Sequence, residues 1–236
     1  MPVAANSSSP LATAGRGEGW WLRGWAGRRV LAVTADRSVD ADRAVRALGF
    51  PVRVVEADQV HSSSVAIVGR SDAARTVGGC DALLTDVAST ALLIRTADCL
   101  PLFFADAGRA VIGIAHAGWR GLRASLPARV VASLRHAYGS RPADLRVAIG
   151  PAIRACCYEV GPEFAEGFEP FVREEKGRRV CDLVGVAVHQ LVDSGVRPER
   201  ILDSRQCTAC RTTRWFSRRR EGERTGRLAS LIAVRP

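Results

Sequence analysis

The chain has 236 residues, 47% hydrophobic and 25% charged, the balance of a soluble globular protein long enough to bury a full core. No stretch approaches the ~18 apolar residues of a membrane span, and an odd seven cysteines, scattered along the chain, favour reduced thiols over a disulfide framework. A net charge of +10 invites a nucleic-acid reading, but Lys176 is the only lysine, a skew toward Arg that reads as coding bias, and no nucleic-acid partner is expected.

Met1 to about Arg16, rich in Ser, Ala and Gly, reads as a disordered tail without the uninterrupted apolar core of a secretion signal. A cytoplasmic location and a single domain over residues 17–236 are therefore expected. Arg29 to Thr34 reads as a strand. Val39 to Leu48 has helical spacing, with Ser38 as its N-cap and Gly49 as its stop. Strands are expected around 52–57, 64–68, 91–95, 101–105 and 110–116. Residues 122–137 form an amphipathic helix on this reading, and Pro127 requires a first-turn position or a kink. Leu145 to Ile149 is a strand running into Gly150-Pro151, Cys181 to Ser194 a helix, and Ser230 to Val234 a closing strand. His136 and His189 fall on helices, where packing or solvent exposure is the expected fate.

Cys207-x-x-Cys210 has no second pair or nearby His in the sequence to complete a structural zinc site, and Cys156 and Cys157 are expected to divide between core and loop. The run from Arg211 to Arg227 is arginine-rich, with Trp215 and Phe216 interleaved. Glu221 and Glu223 interrupt the charge, which favours a solvated, salt-bridged hairpin over a phosphate-binding stripe.

Three islands carry the chemistry: Gln59-Val60-His61, Ala97-Asp98-Cys99 and His116-Ala117-Gly118-Trp119-Arg120-Gly121. Two imidazoles and a thiol are the ligand set of a catalytic zinc site with an open fourth position. The chain has only four histidines, so two of them beside turn sequences stand out. All three candidates lie at strand ends or in short connections, where a rigid scaffold presents side chains. The spacing matches no local zinc-finger or HExxH pattern. The alternative is a buried structural Cys99 and two hydrogen-bonded histidines. Asp98 is a candidate to orient a histidine, accept a proton or cap its turn. Arg120, at a glycine-rich strand-to-helix turn, is a candidate phosphate contact or a packing residue. Trp119 reads as a core aromatic, with purine stacking the sharper alternative.

The wider text around these islands resembles the laccase-domain family, whose members have been called polyphenol oxidases, peptidoglycan editing factors and multifunctional purine nucleoside phosphorylases. The resemblance rests on Cys80-Asp81-Ala82-Leu83-Leu84-Thr85, Thr96-Ala97-Asp98-Cys99-Leu100-Pro101 and the His116 to Gly121 block. It continues through Gly150-Pro151, Cys156-Cys157-Tyr158-Glu159-Val160-Gly161, Cys207-Thr208 and Trp215-Phe216-Ser217, in order from about Val54 to the C-terminus. It implies an α/β fold of mixed β-sheets sandwiched between helical layers, in the order α-β-β-α. It implies zinc held by His61, Cys99 and His116, with copper as the less favoured metal. The implied chemistry is phosphorolysis of adenosine, inosine and methylthioadenosine, and adenosine deamination at the same site. Nucleosides and phosphate are then the partners, and the protein a monomer or homodimer. A copper polyphenol oxidase and a Cys99–His116 hydrolase editing a peptidoglycan precursor are the alternatives; four histidines are too few for a multicopper oxidase. The chain departs from the family pattern at Thr34-Ala35-Asp36-Arg37-Ser38, which lacks a following glycine pair, at Ser62 in place of a Gly, and at Arg218 in place of an aromatic.

Overall fold

The computed structural model describes residues 19–72, 75–164 and 166–236; the tail expected at residues 1–16 lies outside them. The first half of the chain forms β1 (Trp20–Gly24), β2 (Gly27–Thr34), α1 (Ala41–Arg46), β3 (Arg53–Ala57), β4 (Val65–Ile67), β5 (Thr76–Val77), β6 (Ala82–Thr85), β7 (Thr90–Thr96), β8 (Leu100–Asp106) and β9 (Val111–Ala117). Then follow α2 (Trp119–Arg123), α3 (Leu126–Tyr138), β10 (Arg146–Ile149), β11 (Val172–Glu175), β12 (Arg178–Cys181), α4 (Leu183–Asp193), β13 (Ile201–Asp203), α5 (Arg218–Glu221) and β14 (Leu228–Val234).

Two six-stranded sheets are ordered β1-β2-β14-β7-β3-β5 and β13-β10-β8-β9-β6-β4, and β11 pairs β12 in a separate ribbon. The two-residue period of a strand explains how they stack. In β7, Leu92 and Ile94 face one apolar layer while Ala91 and Leu93 face another. In β14, Leu228, Ile232 and Val234 take the first layer, and Ala229, Leu231 and Ala233 the second. In the other sheet Phe103, Ile112 and Ile114 share that first layer, so it lies between the sheets. Their neighbours Leu102, Phe104, Val111 and Ala115 face outward onto α3 and α4, through Val130, Val131, Leu134, Val186 and Leu191. Ala44 of α1 and Leu48 cover the far face of the first sheet. The result is the expected α-β-β-α order in a single domain. Central strands are buried on both faces, which is why they read as unbroken apolar runs.

Several boundaries differ from the sequence expectation. The N-cap of α1 is Asp40, whose carboxylate accepts from Arg43 N at 2.7 Å, whereas Ser38 turns back to donate to Asp36. The helix expected over 122–137 is broken in two by Ser125 at φ +57°, and Pro127 sits in the first turn of α3. Cys181 ends a strand, and α4 starts after it, capped by Asp182. The arginine-rich segment holds the short helix α5 instead of a hairpin.

Candidate active site and metal centre

β3, β5 and β7 run parallel to one another, so their C-terminal ends share one edge of the first sheet. From that edge the chain crosses to the second sheet through the β3–β4, β5–β6 and β7–β8 connections. These crossings carry His61, Asp81 and Cys99. In the second sheet Pro101 pairs with His116 and Ala82 with Ala115, which brings the end of β9 to the same place. Ligand atoms of His61, Cys99 and His116 all lie within 4.8 Å of one another. The two imidazole centroids are 4.7 Å apart and edge-on, at 82°.

Asp81, fully buried, organises this cluster. Its Oδ1 accepts from the His116 Nδ1–H at 2.8 Å and from the His61 backbone N–H at 3.0 Å. Its Oδ2 accepts from the N–H groups of Val60 (3.2 Å) and Ser62 (2.6 Å) and from the Ser62 hydroxyl (2.9 Å). The bond to His116 Nδ1 selects the tautomer that leaves Nε2 free to act as a ligand. His61 itself has φ +59°, an uncommon conformation that the carboxylate cradle sustains. Ser62, which replaces a glycine of the family pattern, uses its hydroxyl in that cradle.

Gly118 gives the cluster its close floor. A Cβ there would lie 3.1 Å from both Cys99 Sγ and His61 Cδ2. Burial opposes ionisation of the Cys99 thiol, but the charge and hydrogen bonding of His116, with help from His61, lower it to about 6. Burial likewise opposes protonation of His116, and the Cys99 thiolate and Asp81 raise it to about 9. An N₂S donor set drawn from three separate segments, with His116 oriented by the buried Asp81, fits a zinc ion.

The other predicted residues are placed as follows. Asp98, at φ +88°, does not reach a histidine. Its carboxylate accepts from Thr208 Oγ1 at 2.6 Å and from the Arg219 backbone N–H at 2.7 Å, so it ties the Cys99 turn to the C-terminal segment. Arg120 is exposed, its guanidinium 4.5 Å from the centroid of the Trp119 indole. Trp119 is half-buried and packs against Phe164 at 5.1 Å, and Phe164 in turn meets Tyr158 at 5.9 Å. In the arginine-rich segment, Ser217 is buried, Arg219 donates to Glu159 O at 2.8 Å, and Arg227 donates to the carbonyls of Thr225 and Gly226. His136 is exposed; His189 is exposed and pairs with Asp193 at 3.3 Å.

Two structural features were not legible in the sequence. Asp81 carried no signal beyond its place in a motif. The expectation that Cys207-x-x-Cys210 lacks a second pair is wrong: Cys156 and Cys157 approach it, with all four ligand atoms within 4.8 Å. The intervening fold closes a separation that no sequence spacing reveals.

Residues 28–235 match the family model described as multi-copper polyphenol oxidoreductase laccase. A purine nucleoside phosphorylase, YlmD, of Geobacillus stearothermophilus is 34% identical over 205 residues, covering 80% of this chain and 75% of the relative. A protein named adenosine deaminase RL5, from an unknown prokaryotic organism, is 31% identical over 72% of this chain and 70% of its own length. The crystal structure of the Geobacillus YlmD superposes with a TM-score of 0.87 at 29% identity, covering 96% of this chain and all of that one. The Bacillus licheniformis protein YfiH gives a TM-score of 0.85 at 26% identity, over 92% of this chain and 97% of its own. With the family's fold throughout and a His-Cys-His cluster at the sheet crossings, the chain belongs to the multi-copper polyphenol oxidoreductase laccase family.

Proposed function

We propose that the chain is a zinc-dependent purine nucleoside phosphorylase acting on adenosine, inosine and methylthioadenosine, with adenosine deaminase activity at the same centre. The observation that carries this reading is the convergence of His61, Cys99 and His116 from three segments, with His116 oriented by Asp81. The names of the relatives, purine nucleoside phosphorylase and adenosine deaminase, support it. His61, Cys99 and His116 would hold the zinc, which would supply Lewis acidity there.

The rest of the chemistry falls to the chain. Asp81 keeps His116 in one tautomer and one orientation. Trp119, next to Gly118, packs against Phe164 and holds the Arg120 guanidinium over its ring, which orients that arginine. Arg120 offers a forked donor to phosphate as it attacks the ribose anomeric carbon and the bond to the base breaks. Asp98 positions the Cys99 turn without touching the reacting atoms. Free nucleosides and phosphate are the partners in this proposal, which includes no nucleic acid, a cytoplasmic location suited to seven free cysteines, and a monomer or homodimer. Among the described residues no helix is long and apolar enough to cross a membrane.

One observation favours a second reading. Cys99 Sγ and a His116 ring nitrogen within 4.8 Å of each other are also the arrangement of a Cys-His hydrolase, as precursor editing would need. Copper suits the same donors, but four histidines in the whole chain are too few for a multicopper centre. Chromatography of adenosine incubated with pure protein, with and without phosphate, beside His61→Ala, tests the proposal. Phosphate-dependent adenine and phosphate-independent inosine, both lost in the variant and on chelation, are expected. Turnover that survives complete metal removal would sink it.

A further inference from the structure

Outside the histidine-containing centre, the described residues hold one other cluster with metal-ligand chemistry, made by Cys156, Cys157, Cys207 and Cys210. Cys156 and Cys157 lie on the turn after β10, closed by the Cys157 and Tyr158 N–H groups on Arg154 O at 2.8 and 2.9 Å. Cys207 and Cys210 lie on the turn after β13. A parallel bridge between Ala152 and Cys207 joins the two turns, with Ala152 N donating to Gln206 O at 3.2 Å and Thr208 N to Ala152 O at 3.1 Å. The backbone thus brings together thiols from opposite ends of a long connection.

Their spacing is short. Cys156 Sγ lies 3.9 Å from Cys157 Sγ and 3.6 Å from Cys210 Sγ, and Cys157 Sγ lies 3.4 Å from Cys210 Sγ. A tetrahedron of thiolates about zinc, with bonds of about 2.3 Å, has edges of about 3.8 Å. A disulfide needs about 2.05 Å, and all four are free cysteines. Three edges of the cluster thus match those of a tetrathiolate cage, and the Cys207 sulfur lies within 4.8 Å of the other three. Four thiolates and one divalent cation leave a net negative charge, and Arg220 faces it. Its Nη2 donates to Cys157 Sγ at 3.7 Å while its Nε is anchored on Ala209 O at 3.1 Å.

We propose that Cys156, Cys157, Cys207 and Cys210 hold a structural zinc ion in an all-sulfur site, separate from the His61–Cys99–His116 centre. On binding, the four thiol protons leave to solvent and no bond is oxidised or reduced. All four positions take part, so no place is left open for a substrate, and the ion's role is to close the loop between the two turns. Its effect reaches the other centre through Thr208, adjacent to Cys207, whose hydroxyl holds Asp98, and through Arg219, adjacent to Arg220, whose backbone N–H holds the other Asp98 oxygen.

The test uses the full chain, purified under reducing conditions, with His61→Ala and His116→Ala introduced together so that only the four-cysteine cluster remains. One equivalent of zinc per chain is expected by elemental analysis. Exchange with cobalt should give the sulfur-to-cobalt charge-transfer absorption and visible bands of a tetrahedral all-thiolate centre. A second measurement keeps the native histidines and introduces Cys156→Ser with Cys210→Ser, both at exposed positions. Zinc content should fall from two equivalents to one, and the remaining centre should show mixed nitrogen and sulfur ligation. A folded four-cysteine protein that takes up no metal, or a serine variant that keeps both equivalents, would overturn the proposal. Disulfides among these residues in freshly reduced protein would overturn it as well.

Discussion

One carboxylate oxygen of Asp81 holds the His116 imidazole at 2.8 Å, and the same oxygen holds the backbone N–H of His61 at 3.0 Å. A single buried side chain therefore sets the ring orientation of one candidate ligand and the main-chain position of another. Asp81→Asn keeps the shape but presents an amide where donors converge. Zinc affinity should drop about tenfold to a hundredfold, the range for outer partners of metal-bound histidines. Competition against a chromophoric chelator would measure it, and an unchanged affinity would remove Asp81 from the site's design.

Gly118 has φ −79° and ψ 173°, a conformation open to any residue, so an alanine there meets only a contact problem. Its Cβ would press on Cys99 Sγ and His61 Cδ2 at 3.1 Å. Gly118→Ala should retain the unfolding midpoint of the metal-free protein while weakening zinc binding by about tenfold or more, the size of effect seen when residues supporting metal ligands are changed. Equal loss of stability in the metal-free protein would show that the glycine serves packing instead.

Thr208→Val removes one of two donors to the buried Asp98 carboxylate while keeping side-chain volume. A hydrogen bond to a charged group contributes about 1.5–3 kcal/mol. Urea unfolding should show a loss of that order, with the Cys99 turn loosened alongside. A variant as stable as the parent would mean that solvent reaches Asp98.

Glu221 is held below the usual glutamate range by the Ser217 backbone N–H, then by the Thr225 hydroxyl and Arg37. Its folded value lies below its unfolded one, so the stabilisation is present above about 4.5 and fades as pH falls through the lower folded value. Glu221→Gln should therefore lower the melting temperature at neutral pH, and the gap to the parent should close in acid. A gap independent of pH would assign the effect to packing.

The central strands were legible because burial on both faces writes itself as apolar runs, and Leu92 to Ile94 or Val111 to Ala115 needed no partner to be seen. β5, at two residues, and the four-residue β6 are too short to show a period. Their pairing is dictated by neighbours far away in sequence. The break at Ser125 was hidden for a related reason: an αL serine leaves no compositional mark, and Pro127 alone fits either a kink or a new first turn. The His61–Cys99–His116 grouping was legible by ligand type and by resemblance. The role of Asp81 and the joining of two cysteine pairs were not, because both depend on which strand ends the sheets bring side by side.

The layer between the sheets gives the histidine-containing centre a mechanical dependence. His61 and Cys99 hang from connections that leave one sheet, while His116 belongs to the other. Any shear of one sheet across the other would change the distances among the three ligands before it changed any of them individually. Phe103, fully buried in that layer, is not one of the three candidate ligands, yet truncating it would let the sheets settle toward each other. The interior of this fold thus works as a gauge block: its thickness sets the aperture at the rim, and a metal seated there would clamp the two halves at that spacing.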